Sequence, residues 1–349
     1  MPMQSINQLR KLPKVLLHEH LDCSLRPKTM LDLWSERGFS NSNFPFPTDV
    51  IKLWHTQSAS NQAKASRKYQ DYLCQFASLS LTNYVKAIVD HVLPLMQTSE
   101  NLYRITKERL DDAYDDGVIA FELRFAPQLH TMSGLSLSEV LDSVVKAVAE
   151  ENRMHVKLII CALRHENAIL AKDLGDLAVK YKDYVSGFDL AADESLNPGV
   201  LEWWLTEAIK LRDSGLGLTI HLWETNDPKA TDLERLNLGQ ITRLGHGIRG
   251  DRQTGFVLEI CPTSNVVTGQ VKTFENHPIN DLYERGELVT VNTDGTLFTK
   301  VTLSKEYQKL SKYFNWGLSH FLKVNQTAVH ASHFSQAVKS ELLQKLSQA

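Results

Sequence analysis

Cysteine is scarce and dispersed in this chain. Four residues of 349, Cys23, Cys74, Cys161 and Cys261, share no C-x-x-C pair. That spacing excludes a disulfide framework and reads as the reduced thiols of a cytoplasmic protein. Neither sign of charge is in excess: 41 acidic against 38 basic residues leave a net charge of −3. Nothing here calls for a nucleic-acid backbone as partner, and there is no solvating acidic tail. The longest apolar runs, such as Val156–Leu163, are strand-sized, far short of the roughly 20 residues of a membrane span. Met1–Lys14 holds polar residues and Pro13 where a signal peptide needs an apolar core. Short-period repeats and low-complexity tracts are also missing. What remains, 42% hydrophobic and 23% charged, is the balance of an ordinary globular protein.

The length would accommodate two domains of usual size, but single α/β barrels run to it as well. Eight β-branched runs alternate with amphipathic stretches: Val15–Asp22, Val118–Ala126, His155–Leu163, Val185–Ala192, Leu216–Glu224, Ile241–Gly247, Phe256–Asn265 and Leu288–Asp294. Ser138–Arg153, with Val140, Leu141, Val144, Val145 and Val148 on one stripe behind a serine cap, typifies the helical stretches. Strand then helix, repeated eight times, predicts a (β/α)8 TIM-type barrel over residues 1–349 as a single α/β domain. An open doubly wound sheet is the alternative.

Two irregularities stand out. Residues 23–117, between the first two strands, carry helical patterns at Leu81–Met96 and Leu102–Asp115 and read as an inserted helical subdomain. Between strands 6 and 7 only the eight residues Ile248–Gly255 are available. A parallel crossover normally takes a dozen or more, so one barrel helix is expected to be missing. Its loss would uncover apolar strand surface, which another segment of the chain, or a second copy in a homo-oligomer, is expected to cover.

Polar residues gather at the strand C-terminal ends, where barrels of this kind place their sites. His18 and His20 lie two apart on one strand face. His221 and Glu224 end the fifth strand, His246 the sixth and Asp294 the eighth. Three histidines and an aspartate suit zinc, but each alone has an ordinary reading: a structural H-x-H pair, a solvated Glu, a turn histidine, a capping Asp. Spacing by itself leaves both readings open.

Taken in order, HEHLDCSLRP (18–27), FELRFAPQLH (121–130), CALRH (161–165), GFDLAADE (187–194), TIHLWE (219–224), RLGHG (243–247), LEICPTSN (258–265) and VNTDG (291–295) resemble the adenosine deaminase family, bacterial members most of all. The resemblance runs from about residue 13 to residue 310. It implies a (β/α)8 fold, one Zn2+ per chain, and hydrolysis of the 6-amino group of a purine nucleoside, adenosine to inosine and ammonia, with 2′-deoxyadenosine as a further substrate. By motif, the resemblance makes His18, His20, His221 and Asp294 the zinc ligands and Glu224 the acid that protonates the purine ring nitrogen. It makes His246 the histidine that assists water deprotonation and steadies charge, and Asp22 the contact to the ribose 5′-hydroxyl. His20, Ala192 and Gly295 fall at further substrate positions. Such chemistry needs hydroxide at neutral pH, which zinc supplies by lowering the pKa of water to about 7. It also needs a Glu224 that keeps its proton through burial, with Leu222 and Trp223 as the expected apolar walls. The H-x-E and P-C-x-x-C pattern of the smaller zinc deaminases is absent.

Four pocket positions depart from the family text. Cys23 and Ala192 stand where Gly is usual, Leu222-Trp223 replace Ala-Gly, and Gly295 stands where an Asp often pairs with a purine ring nitrogen. They keep two alternatives in view, a deaminase of another 6-aminopurine such as adenine or a modified nucleoside, and a catalytically silent zinc-binding barrel. Of the remaining polar residues, Glu122 and Arg124 are expected to line the barrel as an ion pair. Asp189 either orients a ligand or caps its strand, and Ser264-Asn265 hold backbone near Asp294 and His246. Trp203-Trp204 belong to the core, and His320, His330 and His333 to surface or packing.

Overall fold

The computed structural model describes residues 5–41, 45–194, 198–225, 241–249 and 255–348. The β-branched runs form eight parallel strands: β1 (Lys14–His20), β2 (Val118–Phe125), β3 (His155–Leu163), β4 (Val185–Ala191), β5 (Gly217–Leu222), β6 (Arg243–His246), β7 (Val257–Ile260) and β8 (Leu288–Val291). They are hydrogen-bonded in sequence order. Past the last strand the chain closes on the first: His20 N–H donates to the Asp294 carbonyl at 2.7 Å and Asp294 N–H to the His18 carbonyl at 3.1 Å. That closure rules out the open sheet. The strands read as continuous apolar runs because both faces are covered, helices outside and packed side chains within.

Several strands end sooner than their apolar text. β7 stops at Ile260 rather than Asn265, because Pro262 lacks an N–H and opens the Pro262–Val267 helix, the helical position that proline suits. β1 likewise gives way to a tight turn at Leu21–Cys23, so Asp22 sits on a turn above the strand. The helix expected from Ser138 starts at Leu137, capped by Ser136, whose hydroxyl accepts from Glu139 N–H while the Glu139 carboxylate reaches back to Ser136. This reciprocal cap fixes the entry of the valine stripe, which packs against the barrel.

Between β1 and β2 run the helices Pro27–Glu36, Thr48–His55, Ala59–Ala77, Leu81–Ala87 and Ser99–Asp115. The Leu81–Ala87 helix is capped by Ser80 and widens into a π-type turn over Ile88–Val92, delivering apolar side chains to the strand C-terminal ends. Residues 250–254 of the short connection after β6 lie outside the described residues. β6 and β7 nevertheless pair directly, Arg243 beside Val257. Outside these strand starts lies a cavity of about 500 Å³ bordered by Thr242, Val257, Leu288, Lys323, Thr327 and His330. Trp204 is buried and stacks on Phe188, while the Trp203 side chain lies outside the described residues. His320 stacks on Trp316, His330 is exposed, and His333 N–H donates to Glu122. No helix among the described residues is long and apolar enough to cross a membrane.

Candidate active site

His18 and His20 project from β1 on the same side, His221 from β5, and Asp294 from the turn after β8. Their ligand atoms all lie within 4.8 Å of one another. Asp294 Oδ1 is 3.4 Å from His18 Nε2 and 3.6 Å from His20 Nε2, and His20 Nε2 is 3.1 Å from His221 Nε2. Carboxylates behind the rings set their tautomers. Glu259 accepts from His18 Nδ1 at 2.8 Å, and Asp189 from His221 Nδ1 at 3.0 Å. Both rings therefore turn an Nε2 lone pair to the centre. His18 Nε2 is buried with no hydrogen-bond partner among the described residues. Lone pairs and a carboxylate oxygen at these distances repel unless a cation stands between them, so the residues present fit a divalent metal ion. An overlapping set, His18, His246, Cys261 and Asp294, also converges. Burial pushes the Cys261 thiol well up, and its Sγ donates to the Glu259 carbonyl at 3.5 Å. Burial would also raise the Asp294 carboxyl, but His18, His246 and His20 around it hold it well below its usual range.

Beneath the cluster the barrel interior carries a buried charged layer. Glu259 accepts from Arg124 Nη2 at 2.6 Å, Arg243 Nε at 2.5 Å and Thr219 Oγ1 at 3.2 Å. Arg124 also donates to Asp189 at 2.9 Å, and Arg243 to Glu122. Glu122 and Arg124 are thus not each other's partners. Two apart on β2, they reach across the barrel to different strands. Asp189 orients His221, and Ser264 and Asn265 act through side chains: the Ser264 hydroxyl donates to Asp294 Oδ2 at 2.5 Å. Above the layer Gly245 leaves room for His18, whose ring a side chain there would meet at 2.9 Å.

Glu224 and His246 face each other, Oε2 to Nε2 at 3.6 Å. Glu194 fixes the turn bearing Glu224 by accepting from the backbone N–H groups of Trp223, Glu224 and Thr225 at 2.8, 2.7 and 3.0 Å. Burial, with Asp294 and Glu194 nearby, pushes the Glu224 carboxyl well above its usual range. A relay orients His246. Ile279 N–H donates to His277 Nδ1 at 3.1 Å, so His277 Nε2–H donates to Asn265 Oδ1 at 3.1 Å. The Asn265 amide in turn donates to His246 Nδ1 at 3.0 Å. Burial holds His246 well below its ordinary pKa, and its single proton therefore sits on Nε2, facing the cavity. At Ala192, Trp223, His246 and Asp294 the chain leaves the strand ends with φ of 80°, 58°, 63° and 60°, left-handed turns that cluster at functional sites.

These groups open on a cavity of about 300 Å³ lined by His20, Asp22, Ala192, His221, Glu224, His246 and Asp294. Its apolar walls are Leu81, Val85, Ile88, Val89 and Leu93 from the segment after β1, with Leu129 and Leu163. Leu222 and Trp223 do not line it. The former is buried in the core, and the left-handed turn carries the latter aside. Gly295 does not line it either, because Tyr84 and Cys23 occupy its side-chain space. Burial raises the Asp22 carboxyl to about 6. Sequence reasoning missed Glu259, Glu194 and His277. Glu259, a lone charge in the apolar LEIC run, and Glu194, which ends the GFDLAADE text, each carried a usable signal.

A pocket of this kind, at the C-terminal end of a (β/α)8 barrel, is equipped for metal-assisted hydrolysis. The adenosine deaminase family model matches residues 13–349. The adenosine deaminase of Clostridium acetobutylicum is 35% identical, with 97% of this chain and 98% of the relative aligned; that of Mycobacterium marinum is 30% identical over 99% and 96%. Among solved structures, the apo N6-methyl-AMP deaminase of Arabidopsis thaliana superposes with a TM-score of 0.81 at 22% identity, covering 99% of both chains. The adenine deaminase of Arthrobacter aurescens gives 0.79 at 21%, covering 97% and 98%. At these identities the structural likeness is one of fold. The chain belongs to the adenosine deaminase family and is a hydrolytic deaminase.

Proposed function

We propose that the protein deaminates adenosine, and 2′-deoxyadenosine, to inosine or deoxyinosine and ammonia, with one zinc ion held by His18, His20, His221 and Asp294. The observation that carries this reading is the Glu224 carboxyl, buried and 3.6 Å from His246 Nε2, beside a convergent His3Asp cluster. Zinc, when bound, supplies hydroxide at neutral pH by lowering the pKa of water to about 7. Attack at C6 pushes electron density onto N1, and Glu224 delivers the proton that receives it. His246, neutral with Nε2–H toward the cavity, donates to the oxygen that adds at C6, and the proton of that hydroxyl passes to the amino group, which leaves as ammonia. The Asn265 amide beside His246 Nδ1 supports donation over the deprotonation of water as its part. Asp22 receives the ribose 5′-hydroxyl.

Nucleoside is favoured over nucleotide because no Lys or Arg lines the cavity among the described residues. A 5′-phosphate would meet the Asp22 carboxyl instead. The test is zinc content together with ammonia release from adenosine, deoxyadenosine, adenine and N6-methylated analogues. Glu224→Gln is expected to keep zinc and substrate affinity while losing most turnover. An active Glu224→Gln enzyme would displace Glu224 as the proton donor, and turnover confined to adenine would displace the nucleoside.

A further inference from the structure

Ala192 holds a conformation that suits glycine. It follows β4 at φ 80°, where a methyl group crowds the backbone and a hydrogen does not. Such a turn persists only where its surroundings over-determine it. Arg164 N–H donates to the Ala191 carbonyl at 3.0 Å on one side. On the other, Glu194 accepts from the backbone N–H groups of Trp223, Glu224 and Thr225. The turn after β4 is thereby tied to the turn that carries Glu224.

Ala192 packs with Leu129 against Ala126, Cys161, Leu163 and Ala191. All six line the cavity, an apolar wall across the ends of β2, β3 and β4. The sheet fixes the order around the barrel mouth: Asp22 after β1, Ala126 after β2, Leu163 on β3, Ala192 after β4 and Glu224 after β5. Ala126 N–H reaches Asp22 at 3.4 Å, so the wall is anchored at its Asp22 end as Glu194 anchors it at the Glu224 end. A purine nucleoside with N1 at Glu224 and its 5′-hydroxyl at Asp22 lays the edge between them along this wall. C2, the atom next to N1, then falls nearest Ala192.

We infer that the Ala192 methyl closes the space beside C2, making Ala192 the residue by which this pocket refuses 6-aminopurine nucleosides that carry a further substituent at C2. The assignment rests on the deaminase reading above. A hydrogen at C2 fits against the methyl group. An amino group or a halogen there adds a heavy atom, for which the wall would have to move. At Ala192 it cannot yield, because the turn is held from both β3 and β5.

The experiment compares kcat/KM for adenosine and 2-aminoadenosine in the zinc-loaded wild type and in Ala192→Gly, with melting of both proteins followed by circular dichroism. The wild type is expected to prefer adenosine by about tenfold or more, and Ala192→Gly to narrow that preference by about tenfold. The 2-amino group also changes how readily the ring accepts electrons, but that effect is common to both proteins and cancels between them. A merely structural alanine would shift both substrates alike and leave their ratio intact. That unchanged ratio overturns the assignment while leaving the deaminase reading standing. Should Ala192→Gly fail to fold, 2-fluoro- and 2-chloroadenosine decide in the wild type, since both withdraw electrons and differ in size. A loss that deepens from fluorine to chlorine upholds the assignment, and equal turnover of the two overturns it. A wild type that releases ammonia from none of these compounds removes the deaminase reading, and this assignment with it.

Discussion

Replacing Glu259 with glutamine isolates what the buried charged layer does for the site. The two side chains are nearly isosteric, so the change is one of charge and hydrogen bonding. In the native barrel four donors converge on two carboxylate oxygens: His18 Nδ1 at 2.8 Å, Arg124 at 2.6 Å, Arg243 at 2.5 Å and Thr219 at 3.2 Å. Burial alone would raise this carboxyl, yet Arg124 and Arg243 hold it well below its usual range. A glutamine amide can accept on one side only. Its NH2 must face either the His18–Arg124 pair or the Arg243–Thr219 pair, donor against donor. Breaking a buried ion pair typically costs 3–5 kcal/mol, and because Arg124 keeps Asp189 and Arg243 keeps Glu122, about 3 kcal/mol is expected here. Whichever way the amide turns, His18 exchanges a charged acceptor for at best a neutral one, for which metal affinity is expected to fall by about ten- to a hundredfold. Urea unfolding of the metal-free protein reads the first effect, and competition with a chromophoric zinc chelator reads the second. Stability within about 1 kcal/mol of wild type would refute the charge argument. Lost stability with unchanged zinc affinity would refute the orienting role of Glu259 toward His18.

Glu306 accepts from Thr263 N–H at 3.1 Å and the Thr263 hydroxyl at 2.9 Å, and burial raises its carboxyl from 4.5 to about 7. The native state binds this proton more tightly than the unfolded chain does. Its contribution is therefore full below pH 4.5 and lost as pH rises through about 7, a change on the order of 3 kcal/mol. Glu306→Gln is expected to flatten that part of the stability–pH curve, and parallel curves in urea titrations would sink the idea. Ala192, at φ 80°, pays about 1–2 kcal/mol for a left-handed turn. Ala192→Gly trades that for about 0.4–1 kcal/mol of chain entropy, so its melting temperature is expected to rise slightly; a clear fall would mean that the methyl group packs usefully. Asp294→Ala is expected to drop zinc below one per chain by elemental analysis, and full stoichiometry would remove Asp294 from the ligand set.

Much of the fold was legible because a barrel strand is buried on both faces and writes itself as an uninterrupted apolar run. The strand ends were less so. Apolar text continues through Cys261 and Pro262, but a proline without an N–H ends the ladder there. The cluster was legible for a related reason: His18, His20, His221, His246 and Asp294 are polar residues at apolar strand termini, and periodicity exposes them. Their supports were hidden by distance along the chain. His18 and Glu259 stand 241 residues apart, and Arg124 and Glu259 135, so only the closed barrel makes them neighbours. The apolar walls escaped for another reason. They come from a helix and a π-type turn after β1, whose pattern reads as ordinary amphipathic helix until its place over the barrel mouth is known.

The relay that ends at His246 begins at a main-chain amide. An imidazole can exchange tautomers and an asparagine amide can turn end for end, so a relay of side chains alone would have two directions of nearly equal energy. Ile279 N–H has only one, because a peptide nitrogen cannot become an acceptor. The proton's place on His246 is thus dictated from outside the cavity by the entry to the Ile279–Glu284 helix. Mutational drift in the cavity lining can change what the site binds while leaving this polarity untouched, as long as His277 and Asn265 remain to transmit it.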